Sequence, residues 1–367
     1  MVLWFLKLMK NNFYRILLFI IFFLTSLSSY GSDPFNFDVT EIEILEKGNK
    51  FIGLKKGTIT SDNGIVIDAN RFEYDKTSNI LNAIGKVKVR DTVNNNLIYT
   101  DEIIYDKNNE IIYTIENSKG ISLNDDVEIN ARDFEYNIQK NIIIAKEKVK
   151  ILNEVEDYKI FAELITYFRN EEKFVTQGKT SAIIKSKYNF NSKNIVFFKN
   201  TMILTSKHKT TITDKNNLYN LSKFKYLIDK EELIGEKILI SSNFDLPKSD
   251  QFYFDSGMVN LESQNFIAKN TEIKVHKDIF GDSENDPRLK GSSSFKKDNI
   301  TVVNKGIFTS CKKDESCPPW SIQANKITHD QNKKQLTYDN AILRIYDFPV
   351  LYFPKFFHPD PSVERQS

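Results

Sequence analysis

The sequence predicts an all-β protein: an elongated body of repeated strand pairs, each unit about 31 residues long. Two observations carry that prediction. Tyr74, Tyr105, Tyr136 and Tyr167 recur at intervals of 31 residues, with their surroundings in register. The run from Ala69 to Asp75 (ANRFEYD) returns 62 residues later from Ala131 to Asn137 (ARDFEYN), and Ala162, Ile165 and Tyr167 mark the fourth copy. The second observation is period-two alternation after each polar turn. Leu81, Ala83, Gly85, Val87 and Val89 alternate with Lys86, Lys88 and Arg90, and Ile143, Ala145, Val149 and Ile151 alternate with Lys146, Lys148 and Lys150. Such alternation specifies a strand with one face toward an apolar interior and the other toward water. A unit this small cannot bury its own apolar face, so successive units must stack or close over one another.

The repeat weakens along the chain but persists. Phe224 and Tyr226 precede another apolar run at Leu233–Gly235, and Ala324–Asp330 restates the first motif with His329 in place of tyrosine. A structural role for that histidine is the expectation. Two interruptions are read as loops: the Gly/Ser/Asp/Lys stretch from Asp278 to Asn299, which contains Pro287, and a shorter one from Pro247 to Asp250. Repeat units continuing from about residue 38 suggest one elongated body rather than two domains.

Residues 1–31 contain no acidic residue, carry Lys7, Lys10 and Arg15, and run apolar from Ile16 to Leu24 before the small residues Ser29 and Gly31. That pattern is read as a cleaved export signal, the alternative being a membrane anchor, whose ~20-residue apolar core this segment falls short of. Loss of the segment takes the net charge from +2 to −1. A near-neutral chain lacks the basic excess of a nucleic-acid partner. His208, His276, His329 and His358 are scattered, with no acid or thiol partner at the spacing of a triad or a metal site, so the chain is read as a non-enzyme with no cofactor and no metal. Cys311 and Cys317 are the only cysteines. In an oxidising compartment they are disulfide candidates, with each other or with partners elsewhere; two thiolates without a nearby histidine supply only half of a zinc site.

The end of the sequence carries a specific string: Cys317-Pro318-Pro319-Trp320, then Tyr338–Ala341, Phe348-Pro349-Val350-Leu351-Tyr352-Phe353-Pro354, and His358-Pro359-Asp360-Pro361. It resembles the junction between periplasmic domain and outer-membrane barrel in the lipopolysaccharide-assembly family of the LptD type. The preceding repeats resemble the OstA-type β-jellyroll of the same pathway. The resemblance implies a signal peptide over 1–31, a periplasmic OstA-like domain over 32–345, and a Pro/aromatic connector over 346–367. Trp320, Pro349, Tyr352, Pro354, Pro359 and Pro361 mark that junction. Prolines remove backbone donors and fix φ, which suits a rigid connector better than a central strand. In the family a barrel follows the Arg-x-Ser motif seen here at Arg365–Ser367; the sequence stops there, so a fragment or a broken gene is expected.

The same resemblance implies lipopolysaccharide as cargo, received from a periplasmic bridge protein by strand addition and passed to a barrel plugged by a lipoprotein, with the chain exported to the periplasmic side of the outer membrane. Leu81, Ala83, Val87, Val89, Ile143, Ala145, Val149 and Ile151 would then line an apolar trough for acyl chains. The residues by themselves divide evenly between an open trough and a closed core. A stand-alone lipopolysaccharide-binding bridge or chaperone, and a surface β-repeat interaction protein, are the alternatives.

Overall fold

The computed structural model describes residues 34–124, 126–246, 249–276, 286–311, 319–359 and 363; the expected export signal lies outside them. Its 27 strands hydrogen-bond into one continuous antiparallel sheet, folded over along its length as a β-jellyroll. The repeat is its unit of construction. Strands β5 (Ile80–Asp91) and β6 (Asn96–Asp106) form one long hairpin, and β11 (Ile142–Asn153) and β12 (Tyr158–Phe168) form its counterpart two repeats on.

Each long strand is bent in the middle, which the simple alternation did not anticipate. Register shifts fall between Ile84 and Val87 and between Lys146 and Val149. Gly85 and Lys86 there have φ of 83° and 50°, and Glu147 and Lys148 have 61° and 51°. Lys55, Lys86, Asn117 and Lys148 all take this left-handed conformation at successive repeats. A bulge that inserts residues bends the strand and raises its local twist. The intervening strand breaks instead: β3 (Ile65–Ala69) and β4 (Arg71–Asp75) pair with the two halves of β5 on either side of Asn70. Expected as one continuous alternating face, Leu81–Val89 therefore contributes to two walls: Leu81 and Ala83 before the bend, Val87 and Val89 after it. Ile143 and Ala145, then Val149 and Ile151, divide in the same way.

The two walls face each other across the core. Phe190 of one wall meets Tyr226 of the other with ring centroids 5.0 Å apart, and Tyr158 meets Phe197 at 4.9 Å. One apolar core runs without a break from Phe35 to Ala268; a second, small cluster comprises Ala324, Ile327, Tyr338 and Ala341.

Two readings of the C-terminal part need correction. The stretch from Asp278 to Asn299 was expected as a loop, yet Arg288–Lys297 forms β23, paired on both sides, while 277–285 lie outside the described residues. Its Gly/Ser run is the corner of a strand: a Cβ at Gly291 would stand 2.2 Å from Val303 Cγ1, so only glycine lets the neighbouring strand approach. The expected connector is likewise a strand, β27 (Phe348–Pro359), paired along its length with β26 (Gln335–Ile345). Among the described residues β27 has no second neighbour, and a strand paired on one side alone tolerates residues without an N–H. Pro349, Pro354 and Pro359 lie within it, Tyr352 donates to Asn340 Oδ1 at 2.8 Å, and Pro361 lies outside the described residues.

Candidate functional site

The walls are read most simply as rows of directly paired, inward-facing residues. On the first wall one row passes through Phe51, Tyr74, Leu81, Tyr105, Ile112, Tyr136, Ile143, Tyr167, Phe174, Phe197, Leu204, Tyr226, Leu233, Val259 and Phe266. The repeat tyrosines are thus cross-strand neighbours of aliphatic or aromatic residues, the pairing that stabilises a sheet face. Tyr167 stacks on Phe174 with centroids 3.9 Å apart and planes within 13°. The opposite wall carries an apolar row that includes Ile67, Val89, Ile98, Ile151, Ile160 and Phe190, and continues through Ile240, Phe252, Ile273, Leu289 and Phe308.

All eight residues expected to line a trough face this interior, four from each wall, and all are buried within the contiguous core. Through the N-terminal repeats the interior is packed with side chains, and an open depression of about 780 Å³ lies beside the bend, lined by Lys148, Val149, Ala162 and Thr180 among others.

A polar seam closes the packed interior where the margins of the two walls meet. Lys107 pairs with Asp62 at 2.7 Å and with Glu110, and Asn63 donates to Tyr105 Oη at 2.9 Å. Tyr136 donates to Asp91 and accepts from Asn96 at 3.2 Å. Arg169 reaches the Asn94 carbonyl at 2.8 Å and Ser122 Oγ at 2.9 Å. Further on, Glu231 accepts from Tyr188 at 2.7 Å and from Lys185 at 2.7 Å, and Gln264 Nε2 donates to Tyr219 Oη at 2.9 Å. Burial, with the Glu110 carboxylate second, pushes the Tyr105 phenol up; burial and Asp91 do the same to Tyr136, so both stay neutral donors. Burial alone would raise the Glu231 carboxyl, but Lys185 and Tyr188 outweigh it and hold the group below its ordinary value.

Of these seam residues Tyr105 and Tyr136 stood out in the sequence as repeat tyrosines; their polar partners did not. Those partners lie in or next to turns, where Asp, Asn and Glu are ordinary. The available signal was the 31-residue spacing of Tyr188 and Tyr219, a second tyrosine series offset from the first.

Toward the C-terminal end the walls part, keeping ring contacts between Phe252 and Phe266 at 6.3 Å and between Phe308 and His358 at 6.5 Å. Between them lies a cavity of about 380 Å³, lined on one side by Ile240, Phe252, Ile273, Leu289 and Phe308. The facing row changes character: Phe266 is followed by Lys296, Thr301, His329, Leu336 and His358. His329 stands where the repeat carries tyrosine. The His358 ring donates from Nδ1 to the Pro359 carbonyl at 2.6 Å and accepts the Tyr338 hydroxyl at Nε2 at 3.0 Å. At the rim His276 Nδ1 lies 2.9 Å from Asp250 Oδ1, and Arg288 Nη1 3.5 Å from Asp286. Lys296 has no ion-pair partner among the described residues, and burial pushes its ammonium below the ordinary lysine value. The volume falls within the roughly 300–1,000 Å³ of small-molecule sites.

Of the junction residues, Trp320 opens β25 (Trp320–Asp330) with its ring 6.0 Å from Phe308, and Cys311 is a half-buried free thiol with Sγ 3.7 Å from the Trp320 carbonyl; Cys317 lies outside the described residues. Tyr352 and Phe348 are exposed at 58% and 77% on β27.

No family model matches the chain. Among curated proteins it is similar to the LPS-assembly protein LptD of Hahella chejuensis, 28% identical over 101 residues, which is 27% of this chain and 12% of that protein. The chain thus matches about one eighth of that relative's length. Among solved structures it is similar to LptH of Pseudomonas aeruginosa, the LptA-homologous periplasmic component of a lipopolysaccharide transport device, with 13% identity, a TM-score of 0.30, and coverage of 33% of this chain and 95% of that one.

Proposed function

We propose that this β-jellyroll is a lipopolysaccharide-transport component on the periplasmic side of the outer membrane, and that its C-terminal cavity receives an acyl chain of the cargo. The observation that carries the reading is the cavity itself: the two-walled interior, packed through the N-terminal repeats, opens to about 380 Å³ from Ile240 and Phe252 onward while the apolar wall continues through it. Burying a methylene there is worth about 0.8 kcal/mol, which is the driving force needed to hold a lipid chain in an aqueous compartment. The similarity to LptD and the sequence of the junction support the choice of lipopolysaccharide.

In this reading the exposed apolar side chains of β27, Phe348, Leu351, Tyr352 and Phe357, face the element that follows in an LptD-like protein, a membrane barrel with its lipoprotein plug. The other end is β1 (Phe35–Leu45), paired with β2 (Lys50–Ser61) alone among the described strands and exposing Ile42 and Ile44, a surface to which a bridge protein adds a strand. The chain works by binding and handing on, with no chemical step. Cys311 and Cys317 serve as disulfide partners for thiols elsewhere in that longer assembly.

The test fills the cavity. Leu336→Trp, on the cavity wall, is expected to abolish co-elution of lipopolysaccharide with the purified chain, whereas Ile307→Trp, on an exposed outward face, leaves it intact. Lipopolysaccharide binding by Leu336→Trp at the wild-type level would overturn the reading.

A further inference from the structure

The cavity is asymmetric in a way that an acyl-chain site alone does not require. Its two walls descend from the same repeat, and through fifteen paired positions the first wall is aromatic or aliphatic. At the cavity that row turns to Lys296, Thr301 and His329 on consecutive strands β23, β24 (Ile300–Thr309) and β25, opposite Leu289 and Phe308. Lys296 is half-buried at the cavity wall, so its ammonium is partly desolvated without a counter-ion among the described residues, a cost that a partner anion would relieve.

The other charged groups in the cavity are already engaged. Asp250 is the carboxylate among its described lining residues and lies against His276; Arg288 pairs with Asp286 and donates to the Asp286 and Cys311 carbonyls. His358 is held by Tyr338 and Pro359. Lys296 is therefore the cation left to act on whatever enters, and the Thr301 hydroxyl stands beside it in the direct pairing of β23 with β24.

We infer that Lys296 is an anion-binding residue of the cavity, taking the phosphate of an acylated amphiphile whose chain lies along the Leu289–Phe308 wall. This rests on the acyl-chain reading above and adds the headgroup chemistry: a phosphate monoester, recognised by charge-assisted hydrogen bonds from the ammonium, with Thr301 as a second donor. The burial that lowers the Lys296 pKa when empty is offset once the anion is in place, so binding and protonation of the lysine support each other.

The test titrates the full chain with dodecyl phosphate, dodecanol and inorganic phosphate, read by calorimetry. The expected result is dodecyl phosphate bound about tenfold tighter than dodecanol, the scale of one hydrogen bond to a charged group, with inorganic phosphate alone not bound in the same range. Lys296→Gln is expected to erase the tenfold preference while leaving dodecanol binding unchanged, and Lys296→Arg to keep most of it. A preference that survives Lys296→Gln, or no preference in the wild type, overturns the assignment while the apolar site stands. Inorganic phosphate binding as tightly as the alkyl ester would make this a free-phosphate site and overturn it too. If neither amphiphile binds, the acyl-chain reading fails with it. The wild-type comparison of the three probes decides even if a variant does not fold.

Discussion

The stretch from Phe35 to Ala268 and the stretch from Arg288 to Pro359 are built on one plan and filled differently. Both are antiparallel, both are bent strand by strand, and one inward row runs through the two without a break in pairing. In the first stretch that row is tyrosine alternating with apolar residues, and a seam of Tyr, Asp, Glu and Lys side chains joins the margins. In the second the row turns basic and polar, the core shrinks to a small cluster, and the cavity that begins at Ile240 and Phe252 runs into it. The backbone repeat sets the shape, and the identity of one residue per strand decides whether the interior is a core or a container.

The largest expected effect separates core from container directly. Phe174 is fully buried and stacked on Tyr167, so Phe174→Ala should cost about 3–5 kcal/mol in urea unfolding. Leu336, half-buried beside a cavity already present, should lose less on Leu336→Ala, about 1–2 kcal/mol, since the removed atoms leave little new void. Equal costs would erase the distinction between the regions.

A smaller effect sharpens the account of the seam. Glu231→Ala strips Tyr188 and Lys185 of their acceptor and should cost roughly 2 kcal/mol at neutral pH, with the Lys185 share reduced by its partial exposure. Because the folded pKa of Glu231 is depressed, its contribution is complete above the ordinary carboxyl value of 4.5 and is lost as pH falls through the lower folded value. The stability gap between wild type and variant should therefore close below about pH 4. A gap that widens on acidification would contradict the seam assignment.

The smallest effect concerns the bends. Gly85 has φ of 83°, and a Cβ there would lie 2.8 Å from Asn70 Nδ2; Gly178 has φ of 80° with open space around it. Gly178→Ala should cost about 1 kcal/mol from the left-handed backbone alone, and Gly85→Ala somewhat more, up to about 2 kcal/mol. Thermal unfolding of the two variants checks the order: a Gly85→Ala loss no larger than that of Gly178→Ala would contradict the close approach of Asn70 at the bend.

How much of this the sequence discloses follows from what each feature repeats. The strand pairs and the inward placement of Leu81, Val89, Ile143 and Ile151 were legible because burial imposes a period of two on the residue types themselves. The bends were not, since Lys86 and Lys148 look like ordinary exposed residues of an alternating strand, and only their backbone angles set them apart. The seam was hidden for a related reason: Asp62 and Glu231 sit in turns and Asp91 at a strand end beside one, and their partners across the seam lie more than forty residues away. Arg288–Lys297 read as a loop because a strand corner and a loop both favour glycine and serine, and Phe348–Pro359 read as a connector because a strand paired on one side admits proline.

The central claim is that the interior is closed to cargo in the N-terminal stretch and open to it in the C-terminal stretch. The direct measurement places one photo-crosslinking residue at Ile151 in one variant and at Phe308 in another, two positions of the same apolar row, and exposes each full chain to lipopolysaccharide. The account predicts capture at Phe308 and little or none at Ile151. Capture at Ile151 equal to or above that at Phe308 would contradict it, and would mean that the packed stretch, not the cavity, is the path of the lipid.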